Sequence, residues 1–187
     1  MNCGESIAMK NILSIAAAGV ALVIGISLAG AAEIPTRTET TAAAKSTKQV
    51  IGDWVLSCAP AANGHNACVM SQTLASQKLK KTISVLSIGR DRAGKLTGSL
   101  RMPIGVSLPA GVVVGIANKD PFTIPYTACH RIGCFAPFDV TEPLLGQIRK
   151  STKITVVAQS VSKQALNLNF STRGFSDAYA AYVAESK

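Results

Sequence analysis

The chain has 187 residues, and its 19 lysine and arginine residues outnumber its 10 aspartate and glutamate residues, for a formal net charge of +9. Hydrophobic residues make up 48% of the sequence. The excess of cations favours anionic partners such as membrane surfaces, lipopolysaccharide or acidic glycans.

A secretory signal peptide is predicted over residues 1–32. Lys10 precedes an apolar run from Ile12 to Ala32, and the small residues at its end suit signal peptidase. The alternative is a permanent membrane anchor, because the run is about long enough to span a bilayer. Its high alanine and glycine content and the lack of a following cationic stop favour cleavage, which leaves no permanent transmembrane helix.

The rest of the chain is predicted to be a flexible leader followed by one domain. Residues 33–50 are rich in threonine, alanine and lysine and have no sustained apolar period. Residues 51–187 are long enough for one domain with a real core. Order is expected to begin near Trp54, where a strand-like run opens.

Short apolar runs broken by glycine, proline, asparagine and aspartate predict an all-β domain of eight or nine strands. The run Val112–Ala117 is almost wholly apolar and predicts a central strand buried on both faces. The predicted strands are Trp54–Ala59, Ala67–Leu74, Thr82–Ile88, Lys95–Met102, Val112–Ala117, Phe122–Ala128, Cys134–Val140, Ile154–Ala158 and Leu166–Phe170.

Two stretches have helical rather than strand periodicity. In Thr141–Lys150, Thr141 is the expected N-cap and Pro143 falls in the first turn. In the tail, Phe175–Tyr182 carries one apolar stripe. The pattern therefore predicts a β-sandwich or a barrel-like fold with two minor helices.

Four cysteines follow the signal segment, and an even number in an exported chain predicts two disulfides. The pairs Cys58–Cys68 and Cys129–Cys134 are favoured, because each is close in sequence and separated by turn-prone residues. The crossed alternative Cys58–Cys129 stays open at this point.

The search for catalytic groups favours a binding or structural protein over an enzyme. Of the two histidines, His65 lies in a predicted turn and His130 lies beside Cys129, whose disulfide explains that cysteine better than nucleophilic catalysis. The spacing of Cys129, His130 and Cys134 matches neither a zinc site nor a C-x-x-C redox motif. No catalytic residue, metal site or cofactor is predicted, and an envelope hydrolase or redox enzyme is the weakest hypothesis.

The order of motifs resembles the invasion-associated locus B family of alphaproteobacterial exported proteins. The resemblance spans about Gly52 to Tyr182. Members of the family usually end with a Leu-x-Gly-Phe segment, whereas here Phe170-Ser171-Thr172-Arg173 precedes Gly174-Phe175. The motifs that carry it are Trp54 with Cys58, Cys68, the segment Leu100-Arg-Met-Pro-Ile-Gly-Val-Ser-Leu-Pro-Ala-Gly-Val112, Pro121-Phe122, Cys129 with Gly133-Cys134, and Gly174-Phe175 with Ala178.

The resemblance implies an immunoglobulin-like β-sandwich in the periplasm, on the outer membrane surface or secreted and, in pathogens, a contribution to host-cell invasion. The expected partner is a protein or an anionic component of the envelope or host surface, with peripheral membrane association but no nucleic acid. The alternative is a periplasmic accessory or chaperone-like factor for envelope proteins.

The individual motif residues have structural interpretations. Trp54 is expected to pack in the core next to Cys58. Gly133 is expected to give the backbone freedom that a tight disulfide loop needs. A corner between the two sheets is predicted from two turns around Val106–Leu108, formed by Pro103 with Gly105 and by Pro109 with Gly111.

Overall fold

The computed structural model describes residues 46–61, 65–77, 80–117 and 119–186. The predicted signal peptide, residues 1–32, lies outside the described residues. The elements in these ranges are β1 (Thr47–Ile51), β2 (Trp54–Pro60), β3 (Asn66–Ser76), β4 (Lys81–Arg90), β5 (Leu96–Met102), β6 (Val112–Ile116), β7 (Phe122–Ile124), β8 (Ala128–His130), β9 (Gly133–Asp139), α1 (Glu142–Lys150), β10 (Lys153–Gln159), β11 (Ala165–Ser171) and α2 (Phe175–Glu185).

The strands form two antiparallel sheets. One has seven strands in the order β1-β2-β3-β4-β5-β9-β8, and the other has four in the order β11-β10-β6-β7. Side chains alternate between buried and exposed along most strands, as in Lys153–Gln159, where Ile154, Val156 and Ala158 are buried. The predicted all-β sandwich with a short helix after the second cysteine pair and a C-terminal helix is confirmed.

Three details of the sequence prediction are wrong. Strand β1 begins at Thr47 rather than after residue 50, because its whole length pairs with β2. The run Phe122–Ala128 is not one strand: β7 ends at Ile124, before Pro125, which has no N–H to donate, and β8 begins only at Ala128. Strand β6 is not buried on both faces: Val113 and Gly115 are half-buried, because the facing sheet covers only the other side.

One buried polar side chain joins the two sheets. Gln72 of β3 is only 4% exposed. Its Nε2 donates to the Ser171 carbonyl of β11 at 3.0 Å, and its Oε1 accepts from the Ser171 N–H at 2.7 Å. Trp54 Nε1 donates to the same carbonyl at 3.2 Å. The amide therefore takes the place of a neighbouring strand at the end of β11, and its polar atoms are satisfied despite burial.

Helix α2 starts where two glycines meet. Gly52 and Gly174 both have positive φ, of 60° and 80°. A Cβ on Gly174 would lie 2.6 Å from the Ile51 carbonyl oxygen, so the two turns can only pack without side chains at this point. The helix buries Phe175 beneath Trp54, with ring centroids 5.2 Å apart in an edge-on arrangement. Trp54 thus lies in the core, as the sequence predicted.

An ion pair between Asp53 and Arg173 lies beside the contact of the two glycines. Asp53 accepts from Arg173 Nε at 3.1 Å and also pairs with its Nη2. These hydrogen bonds lower the pKa of the Asp53 carboxyl to about 2, so it stays ionised at any physiological pH.

Helix α1 contributes two side chains to the core. The N–H of Leu144 donates to Thr141 Oγ1 at 3.4 Å, which is the predicted N-cap. Leu145 and Ile148 are its buried residues. Arg149 near its end lies 5.1 Å from the centre of the Tyr179 ring, which connects α1 to α2.

Replacing Gln72 by leucine should lower the free energy of unfolding by about 2–3 kcal/mol, because the Ser171 N–H loses its partner while it stays buried. Urea denaturation of the full chain measures this change. Gln49→Leu is the matched control, since Gln49 is exposed on β1, and it should change stability by less than about 0.5 kcal/mol. Equal effects of the two substitutions would contradict the role given to Gln72.

Replacing Gly174 by alanine should cost about 3 kcal/mol or more, because a clash with backbone adds to the strain of a positive φ. Gly94→Ala separates the two contributions. Gly94 has a φ of 82° but nothing within 4 Å of its would-be Cβ, so it should cost only about 1 kcal/mol. Thermal unfolding of both variants tests the difference, and similar losses would show that the contact with Ile51 is unimportant.

Candidate functional site

Both disulfides join directly opposed residues of neighbouring strands. Cys58 of β2 is bonded to Cys68 of β3, and Cys129 of β8 is bonded to Cys134 of β9. Each pair is also a register pair in its sheet. The structure therefore has the two short pairings and not the crossed one, and each bond closes one hairpin.

The second hairpin packs against the end of β5. Gly133 has a φ of 142°, and a Cβ there would lie 2.5 Å from the Met102 carbonyl oxygen. Only glycine allows this close approach. The hairpin tip carries Arg131 and Ile132, both exposed, and the His130 ring packs 5.9 Å from that of Phe135.

The segment between β5 and β6 passes from one sheet to the other, as the predicted corner requires. Gly105 and Gly111 both have positive φ, of 96° and 64°. The Gly111 N–H donates to the Leu108 carbonyl at 3.2 Å and closes a turn around Pro109. Pro103 leads out of β5 directly before the first turn.

Backbone hydrogen bonds hold this corner against the turn between β10 and β11. The Ser107 N–H donates to the Gln159 carbonyl at 2.6 Å, and the Val161 N–H donates to the Gly105 carbonyl at 2.8 Å. Val106 and Ser160 form an isolated antiparallel bridge. Residues about 50 positions apart in sequence are thereby fixed side by side.

These three segments form an apolar groove of about 630 Å³. Three large apolar side chains line it and face solvent: Ile104 is 65% exposed, Leu108 50% and Val161 74%. Ile132 of the adjacent hairpin is 61% exposed. Of the seven large hydrophobic side chains that are exposed in the described ranges, four thus belong to this one end of the domain, which is the signature of an interaction surface.

The segments that form the apolar groove carry charges of one sign, which is positive. Residues 103–111, 125–134 and 159–165 contain no aspartate or glutamate. Arg131 and Lys163 are exposed in two of these segments. An anionic partner would therefore meet attraction without local repulsion.

A second cleft, of about 600 Å³, lies beside the first disulfide. Its polar lining includes His65, Arg90, Arg92 and the end of α2 at Tyr182. Arg90 Nη1 donates to the Gly94 carbonyl at 2.7 Å, and Asp91 Oδ1 accepts from the N–H groups of Ala93 and Lys95 at 2.9 Å. Several of these charged groups therefore organise the β4–β5 turn itself.

Two ionisable side chains of the described residues, Asp53 and Tyr126, have pKa values shifted far from neutrality. Burial raises the pKa of Tyr126 to about 12, while Arg173 lowers that of Asp53 to about 2. Both values move away from neutrality, whereas general acid–base catalysis needs a pKa near the working pH. Within the described residues, no cluster of three histidine, cysteine or carboxylate side chains could hold a metal ion.

The structure separates the predicted motif residues into two groups. Trp54, Gly174 and Phe175 meet at the start of α2, whereas the corner and the second disulfide meet at the apolar groove. Ile104, Leu108 and Val161 were not predicted from the sequence as a set. The available signal was an apolar segment, Pro103–Gly111, with no charge and two prolines between two strands.

Comparison with known proteins gives one consistent result. The family described as invasion associated locus B (IalB) protein matches residues 54–183. The protein called Invasion protein B homolog from Brucella abortus strain 2308 is 26% identical over 168 residues, which cover 89% of this chain and 93% of that protein. The homolog from B. abortus biovar 1 strain 9-941 matches to the same extent.

A solved structure has the same fold. The crystal structure of invasion associated protein b from Bartonella henselae superposes with a TM-score of 0.67 at 20% sequence identity, over 74% of this chain and 96% of that one. These comparisons confirm the resemblance to the invasion-associated locus B family that the sequence motifs indicated. In the described ranges, neither helix has both the length and the apolar character needed to cross a bilayer.

Removing the second disulfide by replacing Cys129 and Cys134 with alanine should lower the free energy of unfolding by about 2 kcal/mol, from the loop entropy of two cysteines five residues apart. The matched variant without Cys58 and Cys68, which are ten residues apart, should lose about 2–3 kcal/mol. Urea unfolding under non-reducing conditions measures both. A wild-type protein that is equally stable with its disulfides reduced would contradict this stabilising role.

Proposed function

The chain belongs to the invasion associated locus B family, and from this membership we propose that it is an exported, non-enzymatic envelope protein that acts by binding. Its binding contributes to host-cell invasion or to another interaction at the cell surface. The partner is a protein or an anionic component of the envelope or the host surface. Nucleic acid is not the expected partner, because an exported protein rarely meets it.

The observation that carries the proposal is the apolar groove. Exposed apolar side chains cost solubility, and their concentration at one end of a small domain is typical of an interaction site. Ile104, Leu108 and Val161 line it on segments that backbone hydrogen bonds hold in place. A preformed surface of this kind binds without a large ordering cost.

The cysteines support export. Both disulfides of the described chain close short hairpins, and such bonds persist in oxidising compartments such as the periplasm and the cell exterior. The formal net charge of +9 further suits a protein that meets anionic envelope surfaces. The periplasm, the outer membrane surface and the medium are all compatible with these features.

The second candidate is a periplasmic accessory factor for envelope proteins. Strand β11, Ala165–Ser171, is an edge of the four-stranded sheet. Such an edge can accept an extended segment of another protein as an additional strand. This function differs from the first in location and in the surface used.

Proteinase K treatment of intact cells, together with a blot of the medium, distinguishes the two proposed functions. We expect the protein to be digested on intact cells or found in the medium, in the same fraction as a surface-exposed marker. A soluble periplasmic protein is the control that must stay intact. Protection until the outer membrane is opened would contradict a surface role and favour the accessory factor.

The binding surface is tested by retention of labelled protein on host cells and on outer membrane fragments. The variant Ile104→Ser/Leu108→Ser/Val161→Ser should be retained at least about tenfold less than the wild type, because several apolar contacts are lost. Val50→Ser/Val183→Ser is the control, since these side chains are also exposed, at 70% and 42%, but lie outside the apolar groove. Unchanged retention of the groove variant would contradict the assignment.

A further inference from the structure

We propose that the apolar groove docks on a membrane surface with anionic lipid headgroups, with Ile104, Leu108 and Val161 entering the interfacial layer. The inference rests on the proposed function, because it names the partner of the same surface. Arg131 and Lys163 would lie at the level of the phosphates.

The side chains that this corner exposes are large and apolar. Ile104, Leu108 and Val161 come from turns and are between 50% and 74% exposed, and Ile132 lies on the neighbouring hairpin. Apolar residues at adjacent turns can enter the boundary between headgroups and acyl chains together. Each one leaves water in the process, which supplies the favourable free energy of binding.

Several backbone N–H groups of these turns are either absent or already hydrogen-bonded within the protein. A lipid layer offers few hydrogen-bond partners, so a segment that enters it needs its own polar groups satisfied. Pro103 and Pro109 have no N–H, while the N–H groups of Ser107, Gly111 and Val161 already donate within the protein. This part of the corner therefore carries a low desolvation cost for an irregular segment.

The charged side chains in the three segments that form the apolar groove are all cationic. Arg131 and Lys163 are exposed in two of the three segments that form the apolar groove, and these segments contain no acidic residue. Long cationic side chains keep their charge among headgroups while their stems cover apolar surface. Near an anionic membrane each cation strengthens binding by about 1 kcal/mol, or about fivefold.

The charge pattern also argues against a second copy of the chain as the occupant. Two grooves face to face would bring together the same cations, Arg131 and Lys163, with no acidic residue in the lining segments to pair with them. Such like-charge contact disfavours self-association. An acidic protein remains the competing occupant, and the experiment distinguishes it.

Vesicle flotation of the full chain tests the proposal. We expect the wild type to float with vesicles of phosphatidylglycerol and phosphatidylethanolamine, and to bind vesicles of phosphatidylcholine alone at least about tenfold more weakly. Binding should fall in 0.5 M salt, because the headgroup attraction is screened at about that ionic strength. Absence of binding to the anionic vesicles would overturn the proposal.

Paired variants identify the surface. Ile104→Ser/Leu108→Ser/Val161→Ser should reduce vesicle binding at least about tenfold, and Arg131→Gln/Lys163→Gln should reduce it about 25-fold. The controls are Val50→Ser/Val183→Ser and Lys48→Gln/Lys150→Gln, which change the same chemistry elsewhere on exposed positions. Every variant has the same N-terminal segment, so any effect of that segment cancels. Equal binding by the groove and control variants would overturn the assignment.

Fluorescence gives a readout that does not depend on loss of binding. Trp54 is the only tryptophan of the chain and is 0% exposed, so its emission should not respond to lipid. In Leu108→Trp, anionic vesicles should shift the emission to shorter wavelength and brominated lipid should quench it. In Val50→Trp, neither change is expected. A Leu108→Trp variant that binds vesicles without a shift would contradict insertion at this corner.

The lipid assignment and the proposed function fail in different ways. If the groove variant loses retention on host cells while the wild type ignores all vesicles, the surface binds a protein, and only the lipid assignment is overturned. If the wild type floats with anionic vesicles through the groove but is never exposed at the cell surface, the lipid assignment stands and the surface role fails.

Discussion

The buried amide of Gln72 is the constraint on which the other features depend. It fastens the last residue of β11 to the middle of β3 through two hydrogen bonds, and Trp54 adds a third to the same carbonyl. Two antiparallel sheets that pack only through apolar side chains can slide, because hydrophobic burial is not directional. A satisfied polar contact across the interface specifies one arrangement.

The consequences run in both directions along the chain. After Ser171 the backbone turns at Gly174 against Gly52, which directs α2 onto the sheet with Phe175 beneath Trp54. Before it, β11 pairs with β10 over its whole length, which sets the position of the turn that carries Val161. The β10–β11 turn is hydrogen-bonded to the corner at Gly105. The strand pairing that fixes the register of β11 therefore also positions two of the segments that form the apolar groove.

Sequence patterns predicted nearly all of the fold but little of the site. Strand alternation, the Thr141 cap and the cysteine spacing are local signals, and each led to the correct element or pairing. Strand β1 was missed because nearly all of its residues are exposed, and only its pairing with β2, which its own composition does not show, makes it a strand. Gln72 looks like a surface residue in sequence, since only its distant partner Ser171 explains its burial. The apolar groove needs contacts between positions about 50 residues apart, and a single sequence does not record them.

The second disulfide lies at the end of the domain where the exposed apolar side chains gather. A small sandwich that leaves four large hydrophobic side chains in water forgoes their contribution to folding, which is about 1.5–3 kcal/mol for each fully buried side chain. The Cys129–Cys134 bond, with about 2 kcal/mol from a short loop, partly offsets that loss at the same place. The glycine at position 133 lets the hairpin pack close enough to β5 to line the apolar groove. The Cys129–Cys134 hairpin therefore contributes both to the stability of this corner and to the lining of the apolar groove.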